Sequence, residues 1–301
     1  MSSEILLESG TNELEILEFT VGDNHYGINV AKVKEILPYK TPTPVPNAHP
    51  AIEGIFMPRD EIISIVELSE CLKMPKSQNI ASDMYVLTNF NKINVAFHVH
   101  SVVGIHRVSW EAIVKPDNTI NSQGNGLATG IIKLNGKLII ILDFEKIVAN
   151  ISPETGLKVS DIAHLTNRKR NELPILISED SQLLSVLITE CLHKSGYSNI
   201  IATDNGKEAW DKLNAFKNAG NVKDKVACVI TDIEMPQMDG HRLTKLVKDD
   251  AVLKDIPVVI FSSLISEEMR KKGELLGADA QLSKPEIGEL VETIDKILGT
   301  K

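Results

Sequence analysis

Three apolar runs in the second half of the chain each stop at a charged residue. Ile175-Leu176-Ile177 leads into Glu179-Asp180, Cys228-Val229-Ile230 into Asp232, and Ala280-Gln281-Leu282 into Lys284-Pro285. A fourth run, Val258-Val259-Ile260-Phe261, ends in the hydroxyls Ser262 and Ser263. Asp180 and Asp232 stand 52 residues apart, as do Asp232 and Lys284, so only the fold can assemble them. Converging carboxylates raise one another's pKa unless a cation neutralises them. Oxygen donors without Cys or His favour a hard ion, and a few carboxylates with positions left over suit Mg²⁺. Glu179, Asp180 and Asp232 are the candidate ligands. A carboxylate beside such an ion can accept a phosphoryl group, which makes Asp232 the candidate acceptor. Lys284 would then set a positive charge, and Ser262 a hydrogen bond, against the phosphoryl oxygens.

The elements that must position these groups are legible as alternating β and α segments from Pro174 onward. Leu183, Leu184, Leu187, Ile188, Cys191 and Leu192 recur at helical spacing and stop at Gly196. Further helices are expected near Gly206–Phe216, from the Asp232 loop through Val247, and near Glu267–Leu276 and Glu286–Leu298, with a strand at Asn199–Ala202. Strands that read as continuous apolar runs imply a parallel sheet covered on both faces, with right-handed crossovers. In such a sheet the ligand site lies beyond the strands' carboxyl ends.

The first half has a β texture of short apolar runs, among them Leu17–Val21, Tyr26–Val30, Ile62–Val66, Tyr85–Thr88, Val95–Val99 and Leu138–Leu142. They are separated by turn signals at Gly22-Asp23-Asn24, Asn91-Lys92, Gly124-Asn125-Gly126 and Asn135-Gly136. Asn135-Gly136 predicts a two-residue hairpin, because a type I′ turn needs positive φ at both positions. Such spacing favours a barrel or sandwich. Ala31–Leu37 reads as a helix that Pro38 ends, after which Pro42, Pro44, Pro46 and Pro50 force an extended path. No catalytic constellation is visible in this half. His98 and His100, with His106 nearby, are the only hint of a metal site in this half, but no Cys or carboxylate completes a set, and histidines without a metal are the expected reading. Arg59 reads equally as a partner contact or a solvated loop charge. Between the halves, residues 150–172 turn polar and carry the basic triplet Arg168-Lys169-Arg170, as an interdomain linker would.

With 301 residues the chain has room for two domains, and 43% hydrophobic with 24% charged residues is ordinary globular composition. A net charge of −9 argues against nucleic acid or an anionic membrane surface as the main partner. Cys71, Cys191 and Cys228 are odd in number and lie in apolar sequence, as free thiols of a reducing compartment would. Neither a signal-like start nor a membrane-length apolar run is present, so a cytoplasmic location without membrane insertion is expected.

Leu14–Phe19 with Tyr26-Gly27-Ile28 and Val33–Ile36, the segment Ile55–Leu68 around Arg59, and the closing run Gly130–Asp143 with Glu145-Lys146-Ile147 together resemble the CheW family of chemotaxis coupling domains. The resemblance implies an all-β pair of interlocked five-stranded barrels over residues 13–150, with a binding role between chemoreceptor cytoplasmic tips and a histidine kinase. Ser178–Ser181, Thr231–Gly240, Pro257–Ser263 and Lys284-Pro285 resemble the signatures of two-component receiver domains. That likeness implies an α/β flavodoxin-like fold with a five-stranded parallel sheet over 173–301, beyond a linker at 151–172. It makes Asp232 the phosphoacceptor, Glu179 and Asp180 the Mg²⁺-binding pair, the backbone carbonyl of Glu234 a further ligand, Ser262 the switch hydroxyl and Lys284 the site lysine. The sequence departs from the receiver pattern at Glu179, where aspartate is commoner, and at Gln281, a position often aromatic.

The order of the two halves resembles the CheV family of chemotaxis proteins. It implies a signalling adaptor rather than an enzyme, recruited to membrane-associated receptor arrays and regulated by phosphorylation of Asp232. One rival is a phosphate sink for the kinase. Another is a Mg²⁺-dependent phosphohydrolase, against which stands Glu234, where such an enzyme would need a second aspartate.

Overall fold

The computed structural model describes residues 11–90, 93–116, 126–153, 170–284 and 286–300. Outside them lie residues 4–10, the turn residues Asn91-Lys92 and Gly124-Asn125, most of the linker with Arg168 and Lys169, and Pro285. The chain divides into two compact units: Leu14–Thr155, and Gly156–Lys301 together with Met1–Glu13.

Among its described residues the first unit holds ten strands: β1 Glu13–Val21, β2 Asn24–Asn29, β3 Val33–Pro38, β4 Ile52–Phe56, β5 Ile63–Glu67, β6 Met84–Phe90, β7 Ile93–Val99, β8 Ser101–Ser109, β9 Ala128–Leu134 and β10 Lys137–Leu142. They form two barrel-like five-stranded sheets, in the orders β8-β1-β2-β10-β9 and β3-β6-β7-β5-β4. The Asn135-Gly136 turn joins β9 to β10 with φ of 50° and 78°, as a type I′ hairpin requires. Its α-helices among the described residues are α1 Leu68–Cys71 and α2 Phe144–Ile151. The Asp143 carboxylate caps α2 by accepting from the Lys146 N–H at 2.9 Å. Phe144, Ile147 and Val148 are thereby turned into a core shared with Leu17 and Phe19 of one sheet and Val86 and Phe97 of the other. Phe144 meets Phe97 edge to face, with ring centroids 4.7 Å apart.

The expected helix at Ala31–Leu37 is not formed. A single 3₁₀ turn at Val30–Lys32 leads into β3, which pairs antiparallel with β6. Val33 and Ile36 are β-branched, and sheet pairing with burial against the core outweighs the modest helical tendency of the intervening Lys34 and Glu35.

The second unit alternates strand and helix: β11 Ile175–Ser178, α3 Gln182–Lys194, β12 Ile200–Thr203, α4 Gly206–Asn218, α5 Val222–Lys225, β13 Cys228–Thr231, α6 Gly240–Asp249, β14 Val258–Ser262, α7 Glu267–Leu275, β15 Ala280–Ser283 and α8 Ile287–Leu298. All strand pairs are parallel, in the order β12-β11-β13-β14-β15. Ile175, Ile177, Cys228 and Ile230 face a core closed by α3 and α8, while Leu176 and Val229 face α4 and α6. This two-sided burial is why the strands read as unbroken apolar runs. Not every apolar position of α3 joins the core: Leu183 and Val186 are exposed, and Ile188, Cys191 and Leu192 carry the contact. Cys191 and Cys228 are buried thiols and Cys71 is half-buried, all three free.

Truncating Phe144→Ala removes the ring at the junction of both sheets and should cost about 3–5 kcal/mol. In denaturant unfolding followed by near-UV circular dichroism, the transition of the first unit is expected to move to lower denaturant. An unchanged unfolding profile would show that the α2 contact does not hold the sheets together.

Candidate functional site

In the second unit the strand order reverses direction between β11 and β13, the topological switch point at which open α/β sheets bind ligands. Register then aligns the candidate residues. Ser178 lies opposite Thr231, and Ser262 opposite Ser283, so Glu179, Asp232 and Lys284 each emerge one residue past the sheet on one edge. Backbone bonds fix these exits: Asp232 N–H donates to the Ser178 carbonyl at 3.0 Å, and Lys284 N–H to that of Ser262 at 3.1 Å.

The side chains meet there. The Lys284 ammonium donates to Asp232 Oδ2 at 2.7 Å and stands 3.1 Å from Glu179 Oε2. All three residues are buried. Glu179, Asp180 and Asp232 each bring a carboxylate oxygen within 4.8 Å of the others. Asp232 Oδ1 accepts from the Ile233 N–H at 2.6 Å, and Glu179 Oε1 from the Ser181 N–H at 3.2 Å. Burial raises the Glu179 pKa well above the usual carboxylate range; the Lys284 charge opposes the rise, while repulsion from Asp232 and Asp180 adds to it. One ammonium thus faces three carboxylates. An all-oxygen donor set with this excess negative charge fits Mg²⁺.

The loop that carries Asp232 is pinned along its length. Met235 is buried with its sulfur 3.3 Å from Ser178 Oγ, and Gly240 N–H donates to the Ile233 carbonyl at 3.0 Å. Asp239 caps α6 by accepting from the Arg242 N–H at 2.6 Å; burial pushes its pKa up to about 6. Gly240 is required by contact rather than by backbone angle, because a Cβ there would lie 1.9 Å from the Asp232 carbonyl oxygen. Asn12, in the same compact unit, accepts from the Asp239 N–H at 3.0 Å and donates to the Gln237 carbonyl at 2.8 Å. Its distance in sequence hides this contact.

Ser262 is fully buried at the end of β14, where its Oγ accepts from the Leu264 N–H at 3.3 Å. Glu234 lies in the loop two residues after Asp232 and is half-buried. Gln281 is tied to α7 through its amide, which donates to the Arg270 carbonyl at 2.7 Å, and its side chain fills the space beside Gly273. A tethered amide therefore occupies the position where many receivers carry a ring. Arg59 belongs to the first unit. Its side chain is 80% exposed and pairs with Glu35 at 2.7 Å.

The family comparisons agree with this division. A CheW-like domain matches residues 15–152, and a response regulator receiver domain matches 175–295. The chain is 32% identical over 304 aligned residues to the chemotaxis protein CheV3 of Helicobacter pylori, covering 95% of each. It is 28% identical to CheV2 of the same organism, covering 91% of this chain and 90% of that one. The chemotaxis protein CheW of Treponema pallidum is 26% identical over 46% of this chain and 84% of its own length. Among the described residues no helix is long and apolar enough to cross a membrane. A CheW-like domain followed by a receiver, with similarity running nearly end to end, places the chain in the CheV family of chemotaxis signalling proteins.

Proposed function

We propose that the chain is an adaptor that links chemoreceptor cytoplasmic tips to a chemotaxis histidine kinase, under the control of phosphorylation at Asp232. In this reading residues 13–150 are the coupling domain, 151–172 the linker and 173–301 the receiver. The observation that carries it is the Lys284 ammonium shared by two buried carboxylates with a third in reach, at the switch point of a parallel sheet. Arg59, exposed on the coupling domain, is the candidate partner contact.

The residues divide the work as follows. Glu179, Asp180, Asp232 and the backbone carbonyl of Glu234 would hold Mg²⁺. When bound, the ion neutralises the carboxylates and the incoming phosphoryl oxygens. An Asp232 carboxylate oxygen attacks phosphorus, the phosphohistidine N–P bond breaks, an O–P bond forms, and the imidazole leaves with the electron pair. Lys284 is already seated against Asp232 and meets the charge of the new phosphoryl group. Ser262, at the end of the neighbouring strand, turns its hydroxyl to a phosphoryl oxygen. The receiver assists only its own phosphorylation and loss of phosphate. A phosphohydrolase acting on other substrates is disfavoured because the residue two after Asp232 is Glu234.

Incubation with Mg²⁺ and acetyl phosphate should add a base-labile ~80 Da group, seen by intact-mass spectrometry. Asp232→Asn should abolish it, and an adduct that persists in this variant would refute the acceptor assignment. Gly240→Ala forces the Asp232 backbone aside, and the rate of adduct formation should fall roughly 10–100-fold; a wild-type rate would contradict the contact argument. In co-sedimentation with receptor-bearing vesicles and kinase, Arg59→Glu in the full chain should weaken recruitment while leaving adduct formation intact. Unchanged recruitment would remove Arg59 from the partner surface.

A further inference from the structure

Three histidines of the first unit part company in the fold. His100 Nδ1 accepts from the Gly22 N–H, and His106 Nε2 pairs with Glu18. His98 alone lies among several carboxylates, which the adjoining sequence does not announce because they come from elsewhere. Glu67 is its register partner across the parallel β5–β7 pair. Glu53 comes from β4, where the register slips between Ile52 and Gly54. Such a bulge re-aims a side chain. The slip rests on Gly54, with φ of 156° and the Thr43 carbonyl oxygen 2.5 Å from where a Cβ would sit.

The three ligand atoms converge. Nδ1 of His98 is 2.9 Å from Glu53 Oε2 and 3.3 Å from Glu67 Oε2. Zinc bonds of about 2.0–2.1 Å in a tetrahedron set ligands roughly 3.3 Å apart, so shifts of a few tenths of an ångström would seat an ion. Every group is also held from behind. Asp83 Oδ2 lies 3.0 Å from Nε2 of His98, the arrangement that orients a metal-bound imidazole. Glu67 Oε1 accepts from the Ser69 hydroxyl at 2.8 Å, and Glu53 Oε1 from the Tyr39 hydroxyl at 3.3 Å. Each glutamate thus has one oxygen anchored and the other aimed at Nδ1.

Charge balance points the same way. Among the described residues no lysine or arginine pairs with Glu53, Glu67 or Asp83, so a single imidazole is set against three carboxylates. His98 is only 2% exposed, whereas Glu53 is 20% exposed and gives an ion its way in. We propose that His98, Glu53 and Glu67 form a Zn²⁺ site, with Asp83 as the positioning residue, which clamps β4, β5 and β7 at one end of the second sheet. The ion takes the place of a proton on Nδ1 and reduces the excess of carboxylate charge that protonation alone leaves uncompensated. A site of one imidazole and two carboxylates suits zinc among the abundant divalent ions.

The test uses the full-length protein, stripped with chelator and held in millimolar Mg²⁺ so that the receiver carboxylates do not compete. Titration with Zn²⁺ against a chromophoric chelator should show one site per chain. His98→Gln should lose it, Asp83→Asn should weaken it roughly 10–100-fold, and Asp232→Asn should leave it unchanged. X-ray absorption on zinc-loaded wild type gives a readout that needs no variant to fold: one imidazole with oxygen donors is expected. Absence of tight Zn²⁺ binding, binding that survives His98→Gln, or a coordination shell without imidazole would each overturn the proposal and leave the cluster as a buried ion pair.

Discussion

Everything at the receiver site depends on an unequal electrostatic arrangement, in which one buried ammonium serves more carboxylates than it can neutralise. Lys284 touches both Asp232 and Glu179, and Asp180 stands close by. Removing charges from water is costly unless they are paired, and a buried site with surplus negative charge is stable only when further positive charge is within reach. On the proposed reading, a phosphoryl group on Asp232 would change the number and position of the acceptors around Lys284. A parallel sheet is well suited to hold such a site, because its strands end together and deliver side chains from distant parts of the chain to one edge.

The loop after Asp232 ties that chemistry to the rest of the unit. Met235 in the core, Asp239 capping α6, Gly240 against the Asp232 carbonyl and Asn12 bridging Gln237 and Asp239 leave little slack. The Asp232 loop is thereby tied to α6 and to Asn12 by direct contacts. Gln281 bears on the same question. Its amide is tied to the backbone of α7, so a hydrogen-bonded side chain stands where a ring could otherwise flip.

Much of the receiver was legible in the sequence because its chemistry sits where local signals are strongest. Asp232 and Lys284 stand at the ends of short apolar runs, and the strand period together with helical spacing predicts the elements that carry them. The first unit was harder to read. Ala31–Leu37 carries a plausible helical pattern, yet β3 forms there because pairing with β6 is decided by residues some fifty positions away. The partners of His98 were hidden for the same reason: Glu53, Glu67 and Asp83 belong to other strands and turns, and a bulge that no local pattern announces turns Glu53 inward. Asn12 was invisible as a site residue because its contact spans 225 residues to Gln237. What the sequence conveys poorly in each case is long-range pairing, which is settled by burial and register rather than by local propensity.

The central claim is that phosphorylation of Asp232 controls how the chain couples receptors to kinase. It is tested most directly by measuring kinase activity in arrays reconstituted from receptor, kinase and this protein, with the receiver first phosphorylated or left unphosphorylated. The account predicts different kinase activities in the two states for the wild-type chain, and no difference for Asp232→Asn. Equal activities in both states with fully phosphorylated wild-type protein would contradict it.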